Sequence, residues 1–568
     1  MKTLELIDSS DTAAAANDRV SHPYWLIAIV ATLAVLPIAF RGNPWGHDVN
    51  LHLRSWMDAA QQFKEGTLFP RWAAGANQGF GEPFFIFYPP LSRLIGVVLG
   101  LVLPWKIVSG SYIWLMLLLA GAAMWKCARE WLPPSGALLA SLLFATNPYL
   151  LIIAYKRGNY ADLLACALFP LLVWGGVRMG YAAAKAALPL SLAFAAIWLS
   201  DLPAAVVASY SLAALLLLGA IFYRSIRPLV FGGLAILSAF GGIAFFLLPA
   251  AWERRWVSIA EAVRLEWAPE HNFLFTHNNL PQYVAFNRGL SFIALFLIIV
   301  TALAALLARK LRQEGRSLWL SLIILAGIST FMMFSPSLVF YEFLPEMRYV
   351  EFPWRWLSPL CTVGALLVAS VICHARHKPI ALVVTALVVV ATGGAIIYTT
   401  NWDSAHYLEG LVADAHSPSG YPIRFGDWSS PLGSQPAKLD KSAAMVIALD
   451  PATGEALPQQ TGQIRIDEWR GQRKVFSVDS ARPLLVKLRL LSYPAWQAKL
   501  NGSSLPIQTD PEAGQMLVPV PAGSSHVEIR FDRTRDRTLG NIVSVITILT
   551  SVPLMLWLRR RDTSEEAP

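Results

Sequence analysis

The sequence predicts an all-α polytopic membrane domain of about twelve transmembrane helices, with a C-terminal extracytoplasmic β-sandwich domain before the last helix. Of the 568 residues, 55% are hydrophobic and only 15% are charged, and the mean hydropathy is +0.48. An average soluble protein carries about 25% charged residues. This composition excludes a single soluble domain, a disordered chain and an ordinary nucleic-acid-binding protein. The four cysteines are too few for a disulfide framework and lack the spacing of metal ligands.

Apolar runs long enough to cross a bilayer, roughly 17–25 residues, set the predicted helix count. Some of the runs are short, so their boundaries are approximate. Twelve of them stand in the sequence, at 24–40, 108–125, 136–154, 163–177, 186–200, 204–223, 229–250, 289–308, 318–334, 357–373, 380–398 and 540–558.

The charges of the connecting loops set the predicted orientation, because cytoplasmic loops of membrane proteins carry an excess of lysine and arginine. Every second loop is basic through Lys126 and Arg129, Arg178 and Lys185, Arg224 and Arg227, Arg309, Lys310, Arg312 and Arg316, Arg376 and Lys378, and Arg559, Arg560 and Arg561. Both termini are therefore expected in the cytoplasm. The same bias explains much of the net charge of +9.

One further apolar stretch, 86–103, does not fit this alternation. If it crossed the membrane, every loop from Lys126 onward would change sides. We therefore expect a re-entrant or interfacial helix on the outer side, and a thirteenth span stays the alternative.

Alternating residues late in the chain predict β-strands at Val486–Leu490, Met516–Val520 and His526–Phe531. Asn501-Gly502 lies between two such runs and predicts a tight hairpin turn. The predicted division of the chain is a cytoplasmic tail at 1–23, a transmembrane domain at 24–398 with a long outer loop at 41–107, a β-rich domain at 399–538, and a last helix with a basic cytoplasmic tail at 539–568.

The first outer loop carries the most informative polar residues. Asp48 and His52 stand one helical turn apart at the start of an amphipathic segment that ends near Gly66. A carboxylate at this position can serve as a general base. It can also cap the helix, and spacing alone favours the cap. His47 and His52 together with Asp48 form a conceivable metal set, although surface histidines of no such role are more common.

Cationic residues recur in two other outer loops. Lys156, Arg157 and Asp162 stand at one helix junction, and Arg355 lies between two tryptophans at another. Guanidinium groups match phosphate geometry, so these side chains fit a lipid phosphate. Spacing alone equally suits side chains that reach from a helix end to the bilayer surface.

The apolar runs contain almost no ionisable residue, whereas ion-coupled transporters keep such residues inside the bundle. Chemistry is therefore expected at the outer surface. A transporter of lipid-linked glycans or a noncatalytic scaffold for envelope assembly stays an alternative to an enzyme.

Several short motifs, taken in this order, resemble bacterial membrane proteins described as 6-pyruvoyl-tetrahydropterin-synthase-related. That family in turn is similar to membrane glycosyltransferases with the GT-C fold. The motifs run from about residue 45 to 531, and nothing in them indicates pterin chemistry. They are His47-Asp48, Phe69-Pro-Arg71-Trp72, Gly79-Phe-Gly81-Glu82-Pro83 with Tyr88-Pro-Pro-Leu91, Arg157-Gly-Asn-Tyr-Ala-Asp162, Phe352-Pro-Trp-Arg355, Ser492-Tyr-Pro-Ala-Trp496, Asn501-Gly502 and Pro521-Ala-Gly-Ser-Ser-His526.

The resemblance implies a GT-C-like glycosyltransferase of the bacterial cytoplasmic (inner) membrane that acts on its outer face. The implied donor is a polyprenyl-phosphate-linked sugar, and the acceptor is a glycan, lipid or protein. Asp48 matches the general base, and Asp162 matches a second acidic position that orients the acceptor or a metal. The expected substrate-binding residues are His47, His52, Arg71, Glu82, Tyr88, Lys156, Arg157 and Arg355.

The sequence departs from the GT-C pattern in one respect. No Asp-x-Asp pair stands in an outer loop near the membrane, which speaks against a metal–diphosphate mechanism. The cofactor is unknown, and a divalent cation stays an open alternative.

Overall fold

The computed structural model describes residues 22–257, 267–278, 280–308, 315–403, 410, 439, 443–458 and 463–564. Its longer helices, numbered in chain order, are α1 Pro23–Arg41, α2 Val49–Lys64, α3 Pro90–Val102, α4 Trp105–Ala128, α5 Pro134–Ala145, α6 Tyr160–Arg178, α7 Ala183–Trp198, α8 Leu202–Phe222, α9 Arg227–Gly242, α10 Ala244–Glu253, α11 Pro281–Leu307, α12 Arg316–Phe331, α13 Leu338–Phe343, α14 Leu357–Cys373, α15 Lys378–Tyr398 and α16 Arg535–Ser564.

Short helical turns join these helices. Helix α5 continues through Pro148–Ile152 and a π-helical turn, Ile153–Arg157. The other short segments are Ala76–Gly79, Phe84–Phe87, Arg254–Trp256, Pro269–His271, Ser335–Ser337, Met347–Val350 and Pro353–Trp356.

The described helices confirm a polytopic membrane architecture. Nine are long and apolar enough to cross a bilayer, or up to eleven if two bent pairs each count as one span. The bends are 70° between α9 and α10 and 96° between α12 and the segment that contains α13. The remaining predicted span, 186–200, corresponds to α7, which has only 16 residues. Because two of the apolar runs fold as bent helix pairs, a count of apolar runs overestimates the number of straight spans.

The stretch 86–103 forms the 13-residue helix α3. At 1.5 Å per residue such a helix extends about 20 Å, which is less than the roughly 30 Å of a hydrocarbon core. Helix α2 packs against it, so the apolar stripe of α2 is covered by protein. Trp56 of α2 is fully buried, and a Cβ atom on Gly96 of α3 would lie 2.1 Å from its ring.

Nine strands lie in the described residues of the C-terminal β region. They are β1 Val446–Leu449, β2 Gln463–Arg470, β3 Arg473–Ser480, β4 Leu484–Leu491, β5 Trp496–Leu500, β6 Ser503–Leu505, β7 Gln508–Thr509, β8 Gln515–Val520 and β9 Gly523–Phe531. The pairing described among them is antiparallel, in the order β1-β4-β8-β7 in one sheet and β2-β3-β9-β5-β6 in the other.

The two sheets share one hydrophobic core, which confirms the predicted sandwich. Val486 of β4 and Val518 of β8 are buried in the same cluster as Phe476 of β3 and Ile529 of β9. The hairpin turn predicted at Asn501-Gly502 is also confirmed. Both residues have positive φ, 49° and 87°, as a two-residue turn with the twist of its strands requires.

Candidate active site in the loop between helices α1 and α2

Asp48 precedes helix α2 in the capping position, yet its carboxylate does not cap that helix. Its Oδ2 atom lies 3.1 Å from Nη2 of Arg157 and accepts a hydrogen bond of 3.1 Å from Nδ2 of Asn159. The Asp48 side chain is 21% exposed, whereas that of Arg157 is 7% exposed. The structure therefore presents this carboxylate at the edge of a buried cluster. The capping role that spacing alone favours is wrong.

The junction between α5 and α6 positions the partners of Asp48. The π-helical turn Ile153–Arg157 ends at Gly158, whose φ is +65°. Asn159 then caps α6, because its Oδ1 accepts a 2.9 Å hydrogen bond from the backbone N–H of Asp162. The backbone N–H of Asp48 donates to the carbonyl of Arg157 at 3.0 Å. Single π-helical turns are frequent at functional sites.

The close approach of two glycines allows this junction to meet the loop between α1 and α2. A Cβ atom on Gly46 would lie 2.5 Å from the backbone N of Gly158. Side chains at either position would therefore push apart the two segments that carry Asp48 and Arg157.

Two histidines flank Asp48 in neutral form. His52 is almost fully buried, and its Nε2 accepts a 3.2 Å hydrogen bond from the backbone N–H of Tyr160. Burial lowers the pKa of His52 to about 4. Burial and the nearby Arg157 lower the pKa of His47 to about 4 as well. Both imidazoles therefore lack a charge at neutral pH and serve as hydrogen-bonding groups.

Several acidic side chains surround Arg355, which lies in the turn just before α14. Its Nε atom lies 3.7 Å from Oδ2 of Asp162, and its Nη1 lies 3.4 Å from Oε2 of Glu351. The side chains of Arg355 and Asp162 are only 3% and 0% exposed. A separation of 3.7 Å is too long for a hydrogen bond. Within the described part of the chain, Arg355 Nε and Asp162 Oδ2 have no hydrogen-bond partner.

Asp201 adds a further negative charge next to Arg355. It caps α8 through a 2.9 Å hydrogen bond that its Oδ1 accepts from the N–H of Ala204. It is buried, and Arg355 and Asp201 are close enough for each charge to act on the other.

The ring of Phe352 connects the two groups. The guanidinium carbon of Arg157 lies 4.7 Å from the ring centroid, and that of Arg355 lies 5.1 Å from it. These distances place the two guanidinium carbons roughly 10 Å apart at most. Asn159 provides a second connection, because it contacts the side chain of Asp48 and the backbone of Asp162.

Glu351, next to Phe352, has an unusual backbone. Its φ is 58° and its ψ is −53°, a region that residues other than glycine rarely adopt. Strained backbone of this kind concentrates at functional sites. Burial raises the pKa of Glu351, and the nearby Arg355 opposes this shift.

The cluster therefore contains four carboxyl groups and two guanidinium groups, contributed by Asp48, Asp162, Asp201, Glu351, Arg157 and Arg355. Among the residues that the structure describes, no three His, Cys, Asp or Glu side chains converge as metal ligands. The described donor set does not fit a metal ion in this arrangement.

One more predicted substrate-binding residue lies beside the cluster. The ring of Tyr88 is 5.9 Å from that of His52 and stacks on Phe84 at 4.8 Å. Burial raises the pKa of Tyr88 well above its usual value, so its hydroxyl stays protonated.

Three predicted substrate-binding residues lie apart from the cluster. Lys156 turns away, and its ammonium donates to Oγ1 of Thr399 at 2.6 Å. Arg71 donates to the carbonyl of Phe245 at 2.8 Å. Glu82 is fully buried and accepts a 3.2 Å hydrogen bond from Asn77.

Sequence reasoning assigned no role to Asn159, Asp201 or Glu351. Asn159 and Asp201 each precede an apolar helix, and Asp201 has a proline two positions later, so both carried the signal of a helix cap. Glu351 gave no such signal, because its proximity to Arg355 depends on a turn with positive φ.

The family described as "6-pyruvoyl-tetrahydropterin synthase related domain; membrane protein" matches residues 85–406. An uncharacterized protein of Lactococcus lactis subsp. cremoris is 28% identical over 242 residues. That alignment covers 40% of this chain and 39% of the relative, so the chain spans about two fifths of the relative's length.

Two solved structures show a more distant likeness. The arabinofuranosyltransferase AftD from Mycobacteria has a TM-score of 0.43 and 14% identity, with 67% of this chain and 27% of that chain covered. ArnT from Cupriavidus metallidurans bound to undecaprenyl phosphate has a TM-score of 0.37 and 14% identity, with 69% and 68% covered. Scores this low identify neither a substrate nor a reaction.

The family match extends over more than half of the chain and confirms the family predicted from its motifs. The protein therefore belongs to the membrane proteins of the 6-pyruvoyl-tetrahydropterin-synthase-related family.

Proposed function

We propose that the protein is a glycosyltransferase that transfers a sugar from a polyprenyl-phosphate donor to an envelope acceptor. The reaction takes place on the outer face of the bacterial cytoplasmic membrane, where the β-sandwich also lies. The loop charges support this orientation, since every second loop is basic. The motif resemblance to GT-C glycosyltransferases supports the type of reaction.

A single observation carries the proposal, namely the environment of Asp48. Its carboxylate stands at a helix N-terminus without capping it, partly exposed, and is held instead by Arg157 and Asn159. A carboxylate that served only as a helix cap would accept hydrogen bonds from the free backbone N–H groups of the helix. Asp48 is instead oriented by side chains and remains accessible, as a general base must be.

In the proposed reaction, Asp48 accepts the proton of the acceptor hydroxyl as that oxygen attacks the anomeric carbon of the donor. The new bond joins the acceptor oxygen to the anomeric carbon. The bond from that carbon to the lipid-phosphate oxygen breaks, and the phosphate leaves with the electron pair.

Arg157 and Arg355 stabilise the departing phosphate, since preorganised cations are most effective where negative charge develops. Both guanidinium groups are already held against Phe352, and Arg157 Nε has no hydrogen-bond partner among the described residues. Asp162 is fully buried and acts as a positioning residue for Arg355. His52 and Tyr88 shape the adjoining wall.

The test compares envelope glycan masses in a strain that lacks the gene, complemented by wild type, Asp48→Asn or Asp58→Asn at equal membrane expression. Asp58→Asn is the matched control, because Asp58 lies on the same helix but contacts Gln62 and Gly75 instead of the cluster. Wild type and Asp58→Asn should restore a sugar that the deletion strain lacks.

Asp48→Asn should reduce the transfer rate by about 100-fold or more, the lower range of a general-base contribution. Full restoration by Asp48→Asn would contradict the proposal and favour a scaffold or a transporter. The mass of the restored sugar would identify the donor.

A further inference from the structure

Two pairs of buried side chains connect helix α6 to the start of α14. In the first pair, Arg355 Nε lies 3.7 Å from Asp162 Oδ2, which is too far for a hydrogen bond. In the second pair, the sulfur of Cys166 lies 3.0 Å from the hydroxyl oxygen of Ser358, within hydrogen-bond distance. Residues three or four positions apart are neighbours on a helix surface. The structure therefore places an open contact directly beside a closed one.

Cys166 also contacts the carboxylate of the open pair. Its thiol donates to Asp162 Oδ1 at 3.4 Å. Because a thiol carries a single proton, the Ser358 hydroxyl is the donor in its contact with the sulfur. All three residues are at most 1% exposed. The hydrogen bonds therefore run in one direction, from Ser358 through Cys166 to Asp162, and the protein shields them from solvent.

This chain of bonds holds the Asp162 carboxylate away from Arg355. Within the described residues, Asp162 Oδ2 and Arg355 Nε have no hydrogen-bond partner. A charge-assisted bond between them would need about 2.8 Å, roughly 0.9 Å less than the observed 3.7 Å. Because the thiol already holds Oδ1, the carboxylate cannot turn toward Arg355 without losing that bond. Arg355 Nε thus keeps a donor that no described side chain uses.

We propose that Cys166 is a positioning residue, which keeps Asp162 apart from Arg355 so that Arg355 stays available for the phosphate of the donor lipid. This inference rests on the proposed function, in which Arg355 stabilises the departing phosphate. A closed ion pair with Asp162 would compensate the guanidinium charge and direct its donors at the protein. A thiol is only a weak donor, so it orients the carboxylate without neutralising its charge.

The test measures the binding of farnesyl phosphate, a short polyprenyl phosphate, to the purified full-length protein by native mass spectrometry. Cys166→Ala should weaken binding about tenfold, since it removes a hydrogen bond to a charged group, and Ser358→Ala about threefold. Cys166→Ser keeps a donor at the same place and should restore binding to within about twofold of wild type. Ser358→Ala breaks the same chain from the other helix, which provides a second test if Cys166→Ala does not fold.

Cys361→Ala is the matched control. Cys361 is also a buried cysteine, on α14, and the described structure shows no hydrogen bond from its thiol to Asp162 or Ser358. This variant loses the same sulfur atom and should bind farnesyl phosphate like wild type. Equal binding by Cys361→Ala and Cys166→Ala would overturn the positioning role. Failure of Cys166→Ser to restore binding would also overturn it, because the thiol would then only fill space.

Arg355→Gln separates a failure of this inference from a failure of the proposed function. If wild type binds farnesyl phosphate, Arg355→Gln does not, and Cys166→Ala binds like wild type, only the positioning role is wrong. If wild type itself does not bind a polyprenyl phosphate, the proposed function fails and the positioning role fails with it. Thermal midpoints of all variants show which of them fold.

Discussion

Two buried groups of acids and arginines in this protein differ in how well their charges are satisfied. In the first, Glu253 of α10 and Arg537 of α16 pair through two bonds of 2.7 and 2.9 Å. Tyr493 of the β-sandwich donates a third hydrogen bond of 2.6 Å to Glu253. In the second, Asp162 and Arg355 are equally buried but stand 3.7 Å apart.

The difference indicates that the two groups have different roles. The Glu253 group joins the last helix, α10 and the β-sandwich, and its short bonds compensate for the loss of solvent. The Asp162–Arg355 pair leaves polar atoms without hydrogen bonds inside the described structure. A buried polar atom without a hydrogen bond lowers the stability of the fold unless a ligand binds to it. Such unsatisfied groups in a native structure often have a functional role. We therefore interpret the first group as structural and the second as prepared for substrate.

The largest expected effect on stability comes from breaking the structural group. Arg537→Met would leave Glu253, which is 0% exposed, buried without its charge partner. Removing one partner of a buried pair costs about 3–5 kcal/mol of unfolding free energy. Thermal unfolding followed by tryptophan fluorescence in detergent should show a large decrease in Tm.

Arg465→Met is the control for that experiment. Arg465 pairs with Asp467 at 2.7 Å on the sandwich surface, where its side chain is 79% exposed. Exposed ion pairs contribute little to stability, so Tm should not change measurably. An equal decrease for both variants would contradict a special structural role of the Glu253 group.

The burial of neutral His52 beside Asp48 should make the free energy of unfolding depend on pH. Its pKa is about 4 in the folded protein, against 6.5 as the ordinary value. Between these values the unfolded chain binds a proton that the folded protein does not. Stability is therefore lost as pH falls from 6.5 to 4, by about 3 kcal/mol in total.

His52→Gln keeps an acceptor for the N–H of Tyr160 and does not titrate. Measured from neutral pH down to pH 4.5, its Tm should fall less steeply than that of wild type. His271→Gln, at a histidine outside the cluster, should retain the wild-type slope. Equal slopes for wild type and His52→Gln would show that His52 does not become buried in neutral form.

The smallest effect on transfer activity is expected at Lys156. This residue tests which cations belong to the Asp48 cluster. The ammonium of Lys156 contacts Thr399, whereas the guanidinium of the neighbouring Arg157 contacts Asp48. Lys156→Gln should change transfer activity by no more than about twofold, and Arg157→Gln should reduce it by at least tenfold, consistent with loss of a charge-assisted contact. A larger loss for Lys156→Gln would place its charge at the donor after all.

Much of the fold was predictable from local patterns, and the site was predictable only in part. Apolar runs located the helices, and Asn501-Gly502 located a hairpin, because both signals depend on neighbours in sequence. The bend between α9 and α10 falls at Gly241-Gly242, within the apolar run 229–250 that we expected to form one span. Glycine pairs favour turns, so the sequence carried a local signal for this bend that a count of apolar runs does not use.

The site shows a different limit. The motifs selected Asp48, Arg157, Asp162 and Arg355, which the structure brings together. They also selected Arg71 and Glu82, which contact Phe245 and Asn77 instead. A single sequence does not distinguish these cases, because both kinds of residue stand in the same type of loop motif. Only the three-dimensional contacts separate the cluster from its surroundings.

The central claim is that the Asp162 group serves a ligand and the Glu253 group serves the fold. The most direct measurement records Tm and transfer rate for Asp162→Asn and Glu253→Gln side by side. We predict that Asp162→Asn keeps the free energy of unfolding within about 1 kcal/mol of the wild-type value, or raises it, because relief of an unsatisfied site often stabilises a protein. Its transfer rate should fall at least tenfold. Glu253→Gln should instead lower Tm strongly. A decrease in Tm for Asp162→Asn as large as that for Glu253→Gln, with transfer retained, would contradict the account.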